Sequence, residues 1–116
     1  MQQIRNLHAA MRLCRRTHPQ LRASQIELLL QVYLKPGMTQ SELAEKVDLT
    51  LSAVSRAIDV LGKSGRRDGK SNAQMDWVEA RRNPDDDRIL QVFITQKGRD
   101  FVSTLEHLIY GNSICD

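Results

Sequence analysis

The segment from Trp77 to Ile94 constrains the fold most. Two short runs of strand-forming residues, Trp77–Arg81 and Ile89–Ile94, flank Asn83-Pro84-Asp85-Asp86-Asp87-Arg88, whose Pro and Asx residues favour a turn. In the second run Leu90, Val92 and Ile94 alternate with Ile89, Gln91 and Phe93, the period of a strand with one covered face. The other periodic segments have helical spacing, so this hairpin must find its cover among helices. The expected class is α+β, mostly helical.

Five helices are expected. Ile4, Leu7, Met11 and Cys14 recur on one stripe until Thr17-His18-Pro19 forces the backbone out of helix, which places the first helix within 1–16. Ser24-Gln25-Ile26-Glu27 reads as a capping box opening a helix with Ile26, Leu28, Leu29, Leu30, Val32, Tyr33 and Leu34; apolar nearly all round, it is expected at the centre of the domain. Thr39-Gln40-Ser41-Glu42 repeats the capping logic ahead of Leu43, Ala44 and Val47, and Asp48-Leu49-Thr50 forms a turn. Thr50 then caps a helix over 50–61 whose inward stripe is Leu51, Val54, Ile58 and Leu61, with Ser52, Ser55, Arg56 and Asp59 opposite. A short helix, a tight turn and a second helix with small polar residues and Arg outside form a helix-turn-helix. Thr95 caps the last helix, 95–110, whose apolar face carries Phe101, Leu105 and Leu108 with Val102 and Ile109, and Gly111 stops it.

These elements fit one domain over all 116 residues, a size that buries a working core without metal or disulfides. Net charge is +3, so the distribution of charge says more than its sum. Arg5, Arg12, Arg15 and Arg16 are the only formal side-chain charges before Leu21, and Lys63, Arg66, Arg67 and Lys70 crowd a stretch, 62–76, without apolar periodicity. It is expected to be a flexible basic inserted loop. Cys14 and Cys115 have neither zinc-knuckle nor redox-pair spacing, which favours a reducing, cytoplasmic setting. No apolar run reaches the roughly 20 residues of a membrane helix, and no signal-peptide pattern opens the chain. His8, His18 and His107 lack ligand-like spacing, and no nucleophile-base-oxyanion set or Gly-rich phosphate loop occurs. No metal, no cofactor and no enzymatic activity are expected.

The helix-turn-helix, the Asp86-x-Arg88 turn and the run Leu90-x-Val92-x-Ile94-Thr95-x-x-Gly98, in this order, resemble the MarR family of winged-helix transcription regulators over about Ala23 to Val102. The resemblance implies a winged helix-turn-helix with flanking N- and C-terminal dimerisation helices. It also implies a homodimer on a pseudo-palindromic double-stranded DNA operator, acting as a repressor. Major-groove reading falls to helix 50–61, with Arg56 suited to guanine by its planar fork and Ser52 and Ser55 short enough for close approach. Thr39, Gln40 and Ser41 at a helix start, with Thr50 and Lys63, complete the DNA-facing set. Wing 77–94 enters the minor groove with Arg88, its rotamer fixed by Asp86. Dimerisation falls to Ile4, Leu7 and Met11 with Leu105, Leu108 and Ile109, whose plainer role is packing within one chain.

Three departures from that pattern stand out: residues 66–76 look inserted, Asp87 stands where basic character is common, and little sequence follows the last helix. The resemblance implies a crevice for small aromatic effectors, but 4% aromatic residues and a short last helix give little to line one. Cys14, on an apolar stripe, reads as a buried thiol rather than an oxidant sensor. The competing function is a winged-helix adaptor that binds a protein through the same surfaces.

Overall fold

The computed structural model describes residues 1–62 and 75–110. The order is α1 (Gln2–Thr17), α2 (Ala23–Leu34), β1 (Met38–Thr39), α3 (Gln40–Val47), α4 (Leu51–Leu61), β2 (Val78–Asn83), β3 (Asp86–Ile94) and α5 (Gln96–Tyr110). The strands form one antiparallel sheet in the order β1-β3-β2. The α+β, mostly helical reading holds, with a winged helix-turn-helix between α1 and α5.

Three boundaries differ from expectation. The hairpin is longer and tighter, because Asn83 pairs with Asp86 and only Pro84 and Asp85 connect the strands. The Asn83 side-chain oxygen accepts the Asp85 N–H at 2.7 Å, an Asx turn that the sequence encodes locally. β1, pairing Met38 with Val92 and Thr39 with Gln91, was not anticipated, since two residues carry no period. The capping box of α2 sits two residues earlier than Ser24: Gln25 Oε1 accepts the Arg22 N–H at 3.0 Å, so Ser24 lies inside the helix. Arg22 has no side-chain acceptor to return the bond, so only the Gln25 half of such a box forms, a frame that the Ser/Thr pattern in sequence does not announce.

α2 is central on one side. Leu28, Leu29 and Val32 are fully buried, against Leu43 and Val47 of α3, Val54, Ala57 and Leu61 of α4 and Val78, Val92 and Ile94 of the sheet, whereas Leu34 is exposed. Burying a side chain of this size stabilises the fold by about 1.5–3 kcal/mol, so the α2 cluster anchors the lobe. Trp77 stacks on Phe101 with ring centroids 4.1 Å apart, joining α5 to the sheet. A smaller cluster of Ala10, Cys14 and Leu105 fixes α1 against α5. Here the expected stripe of α1 divides: Cys14 points inward, while Ile4, Leu7 and Met11 are exposed, and Asn6 and Ala10 take the inward places.

The ends of the expected 62–76 loop belong to the fold. Gly62 bridges Val78, the Trp77 N–H donates to the Leu61 carbonyl at 2.7 Å, and Met75 is buried. The chain therefore leaves α4 and enters β2 at one place. Residues 63–74, with Lys63, Arg66, Arg67 and Lys70, lie outside the described residues, as does Gly111.

Candidate nucleic-acid interface

The helix-turn-helix is held by caps that the sequence announces. Thr39 Oγ1 accepts the Glu42 N–H at 3.2 Å and Glu42 Oε1 accepts the Thr39 N–H at 2.9 Å, which fixes the start of α3. Asp48 adopts a left-handed conformation, φ 57°, a cost that Asx side chains tolerate better than most, and this reverses the chain between α3 and α4. Thr50 Oγ1 then accepts the Ala53 N–H at 3.1 Å. With one lone pair engaged, Thr39 and Thr50 work as caps, and each keeps its hydroxyl proton to donate outward.

On α4 the buried residues are Val54, Ala57 and Leu61. Leu51, expected inside, is half exposed at the helix start, and Ala57 takes the inward place; at the first turn of a helix the core side is not yet closed. Ser52, Ser55 and Arg56 are exposed on the other side, and Ser41 and Thr50 are exposed at the adjoining helix starts, while Thr39 and Gln40 are half-buried. Among the described residues no ion pair holds the Arg56 guanidinium.

At the wing tip Asp86 Oδ1 accepts both the backbone N–H and the Nε–H of Arg88, each at 3.1 Å, and Oδ2 accepts from Nη2 at 3.1 Å. The guanidinium, first, and the backbone N–H hold the Asp86 carboxyl below the usual carboxylate range. Arg88 is thus oriented by its own turn while 86% of its side chain stays exposed. Two further wing arginines were not singled out from the sequence. Arg81 is bound to Glu79, Nε to Oε2 at 3.0 Å, and lies 4.4 Å over the Phe93 ring. Arg82 Nη1 donates to the Asp87 carbonyl at 2.6 Å, across the hairpin. The signal for Arg82 depends on strand register, which the sequence does not state.

Helix-turn-helix and wing meet at one cleft of about 400 Å³, lined by Thr39, Gln40, Ser41, Leu51, Arg88, Ile89 and Leu90. The start of α3, the start of α4 and the wing cation therefore face the same side. A polar connection sets their spacing: Gln91 Nε2 donates to the Gly37 carbonyl at 2.9 Å.

The candidate dimer residues separate into two groups. Ile4, Leu7 and Met11 at i, i+3 and i+7, together with Ile109, are exposed. Leu105 is 4% exposed and packs on Ala10 and Cys14, and Leu108 is half-buried against the same cluster, so these two serve the interior of the chain. Asn6 Nδ2 donates to the Ile109 carbonyl at 3.0 Å, capping the end of α5 and locking it to the start of α1. Burial pushes the Cys14 thiol up, consistent with an inert side chain.

A cavity of about 600 Å³ lies where the α1–α2 connection meets α4, between His18, Arg22 and Gln25 on one side and Ala53, Arg56 and Val60 on the other. Its lining mixes polar side chains with the small aliphatic ones of α4. Among the described residues no cluster of His, Cys, Asp or Glu is placed to hold a metal, and no helix is long and apolar enough to cross a membrane.

Known proteins place this geometry. A family profile for winged helix-turn-helix DNA-binding domains matches residues 21–66. The chain is 32% identical over 81 residues to the HTH-type transcriptional regulator YdgJ of Bacillus subtilis, covering 70% of this chain and 43% of that protein. Among solved structures it superposes on Rv1404 of Mycobacterium tuberculosis with TM-score 0.68 at 18% identity, over 95% of this chain and 64% of that one. It matches a MarR transcriptional regulator of Methanosarcina mazei with TM-score 0.60 at 22% identity, over 78% and 58%. Streptococcus pneumoniae FabT, solved in complex with DNA, matches with TM-score 0.58 at 20% identity, over 75% and 53%. At these identities the structural likeness is one of fold, and the chain spans less than two thirds of each of these proteins.

Proposed function

We propose, for a chain whose fold is that of the MarR-family winged-helix transcription regulators, that it binds double-stranded DNA sequence-specifically as a homodimer and represses transcription. α4 would lie in the major groove, with Arg56 donating to guanine O6 and N7 and Ser52 and Ser55 reaching bases or phosphates. The N–H groups of Gln40 and Ser41 at the start of α3 would meet the phosphates, with the Thr39 and Thr50 hydroxyls donating beside them, since the Thr39 N–H is taken by Glu42. Arg88 would enter the neighbouring minor groove, where a preoriented guanidinium loses little entropy on binding. The carrying observation is the shared cleft that puts Thr39, Gln40, Ser41 and Leu51 beside Arg88, so that one duplex spans both elements.

The exposed stripe Ile4, Leu7, Met11 and the exposed Ile109 supply the surface for a second copy. A two-fold pair of lobes then reads two half-sites about one helical turn apart. Selection of bound fragments from random duplexes, followed by affinity across a salt series, tests the whole reading. A palindromic motif and a steep loss of affinity with salt are expected, because neutralised phosphates release counterions. Salt-independent binding without sequence preference points instead to a protein-binding adaptor.

A further inference from the structure

We infer that Arg82 is a second DNA contact of the wing, placing its guanidinium on a backbone phosphate beside the groove that Arg88 enters; this rests on the DNA-binding reading above. The hairpin register shifts between Arg82 and Asn83. Arg82 pairs with Leu90 and Asn83 with Asp86, so Asp87, Arg88 and Ile89 have no Cα partner on β2. Such a bulge re-aims the side chains mounted on it. Arg82 reaches into this irregular stretch and donates Nη1 to the Asp87 carbonyl at 2.6 Å, immediately before Arg88 in the chain. Both cations therefore sit on one bulge.

The face is the right one. Cross-strand partners point to the same side of a sheet, and Leu90, the partner of Arg82, lines the cleft shared by Arg88 and the start of α3. Arg81 pairs with Gln91, is on the other side against Phe93, and spends its fork on Glu79. One N–H of Arg82 is committed to the hairpin, and the others in the fork remain to meet phosphate oxygens, with the guanidinium held in place beforehand. The positive charge also answers Asp85 and Asp87, whose carboxylates would otherwise repel the strand.

The test compares Arg82→Ala, Arg82→Gln and Arg81→Ala with the parent chain on the duplex recovered by selection, over a salt series, with thermal midpoints measured alongside. Arg82→Ala is expected to weaken binding about tenfold uniformly across sequences and to make the salt slope shallower by about one. Arg82→Gln, which keeps a donor for the Asp87 carbonyl but no charge, should lose as much, while Arg81→Ala should stay within about twofold of the parent. If the parent binds with a steep slope and Arg82→Gln matches it, Arg82 is a hairpin strut and the inference fails. If the parent has no salt-dependent binding, the DNA-binding reading itself fails.

Discussion

The Gln91 side chain donates to the Gly37 carbonyl at 2.9 Å and accepts from Asn83 Nδ2 at 3.1 Å, so one amide ties the wing turn to the loop entering α3. A neutral hydrogen bond of this kind contributes about 1 kcal/mol net, but its larger effect is to hold the spacing between the wing turn and the start of α3. Gln91→Leu is expected to lower DNA affinity several-fold while moving the thermal midpoint little. Equal losses in affinity and in stability would show that Gln91 supports the sheet rather than the spacing.

Arg56 stands exposed between Ser52 and Ser55 on one side and the cavity at the α1–α2 connection on the other. Arg56→Ala is expected to cost about 1–3 kcal/mol of binding and to relax preference at one base position in each half-site, the signature of a lost bidentate base contact. Repeating the duplex selection with the variant checks it. An unchanged motif removes Arg56 from the base-reading set.

Asp86 and Arg88 make a pH-dependent pair. The folded carboxyl has its pKa lowered chiefly by the Arg88 guanidinium, so its contribution is present above the unfolded value, near 3.9, and disappears as pH falls through the lower folded value. An NMR titration should place the Asp86 midpoint below the ordinary carboxylate range, and Arg88→Ala should raise it. Identical midpoints in both proteins would mean that the pair does not persist in solution.

The parts of this site that were legible in the sequence are the local ones. Thr39 with Glu42, Thr50 with Ala53 and Asp86 with Arg88 each act within three residues, so residue type and spacing were enough. Failures occurred where the partner is distant. β1 exists only because Val92 and Gln91 lie opposite it, Leu105 is interior because Cys14 packs there, and Arg82 meets the Asp87 carbonyl through a register shift. On α1 the inward places fall to Ala10 and Asn6, which look neutral until α5 is placed against them, while Ile4, Leu7 and Met11 of the apolar stripe stay exposed.

Gly98 illustrates a constraint invisible to pattern. Its N–H donates to Thr95 Oγ1 at 3.0 Å, which reads as an ordinary cap, yet a Cβ here would stand 2.2 Å from the Trp77 carbonyl and 2.8 Å from Ile94 Cγ1. Backbone cannot retreat as a side chain can, so Gly98→Ala is expected to destabilise by about 1–3 kcal/mol or more, a fall in midpoint of at least about 4 °C. Thermal unfolding followed by circular dichroism measures it. A midpoint within a degree of the parent would show that α5 shifts freely over Trp77.

Leu7 tests the dimer without touching the interior. It is 50% exposed in the middle of the stripe Ile4, Leu7, Met11, whereas Leu105 is enclosed by Ala10 and Cys14 of the same chain. A charge placed in an apolar contact between copies leaves that charge desolvated without a partner, but on an exposed helix face it costs little. Leu7→Glu is therefore expected to leave the thermal midpoint of the isolated lobe nearly unchanged while shifting sedimentation from dimer to monomer. DNA affinity should fall with it, since a single lobe holds only one half-site. If Leu7→Glu sediments with the parent and binds as well, the stripe on α1 is a solvent face and the copies, if they pair, meet elsewhere.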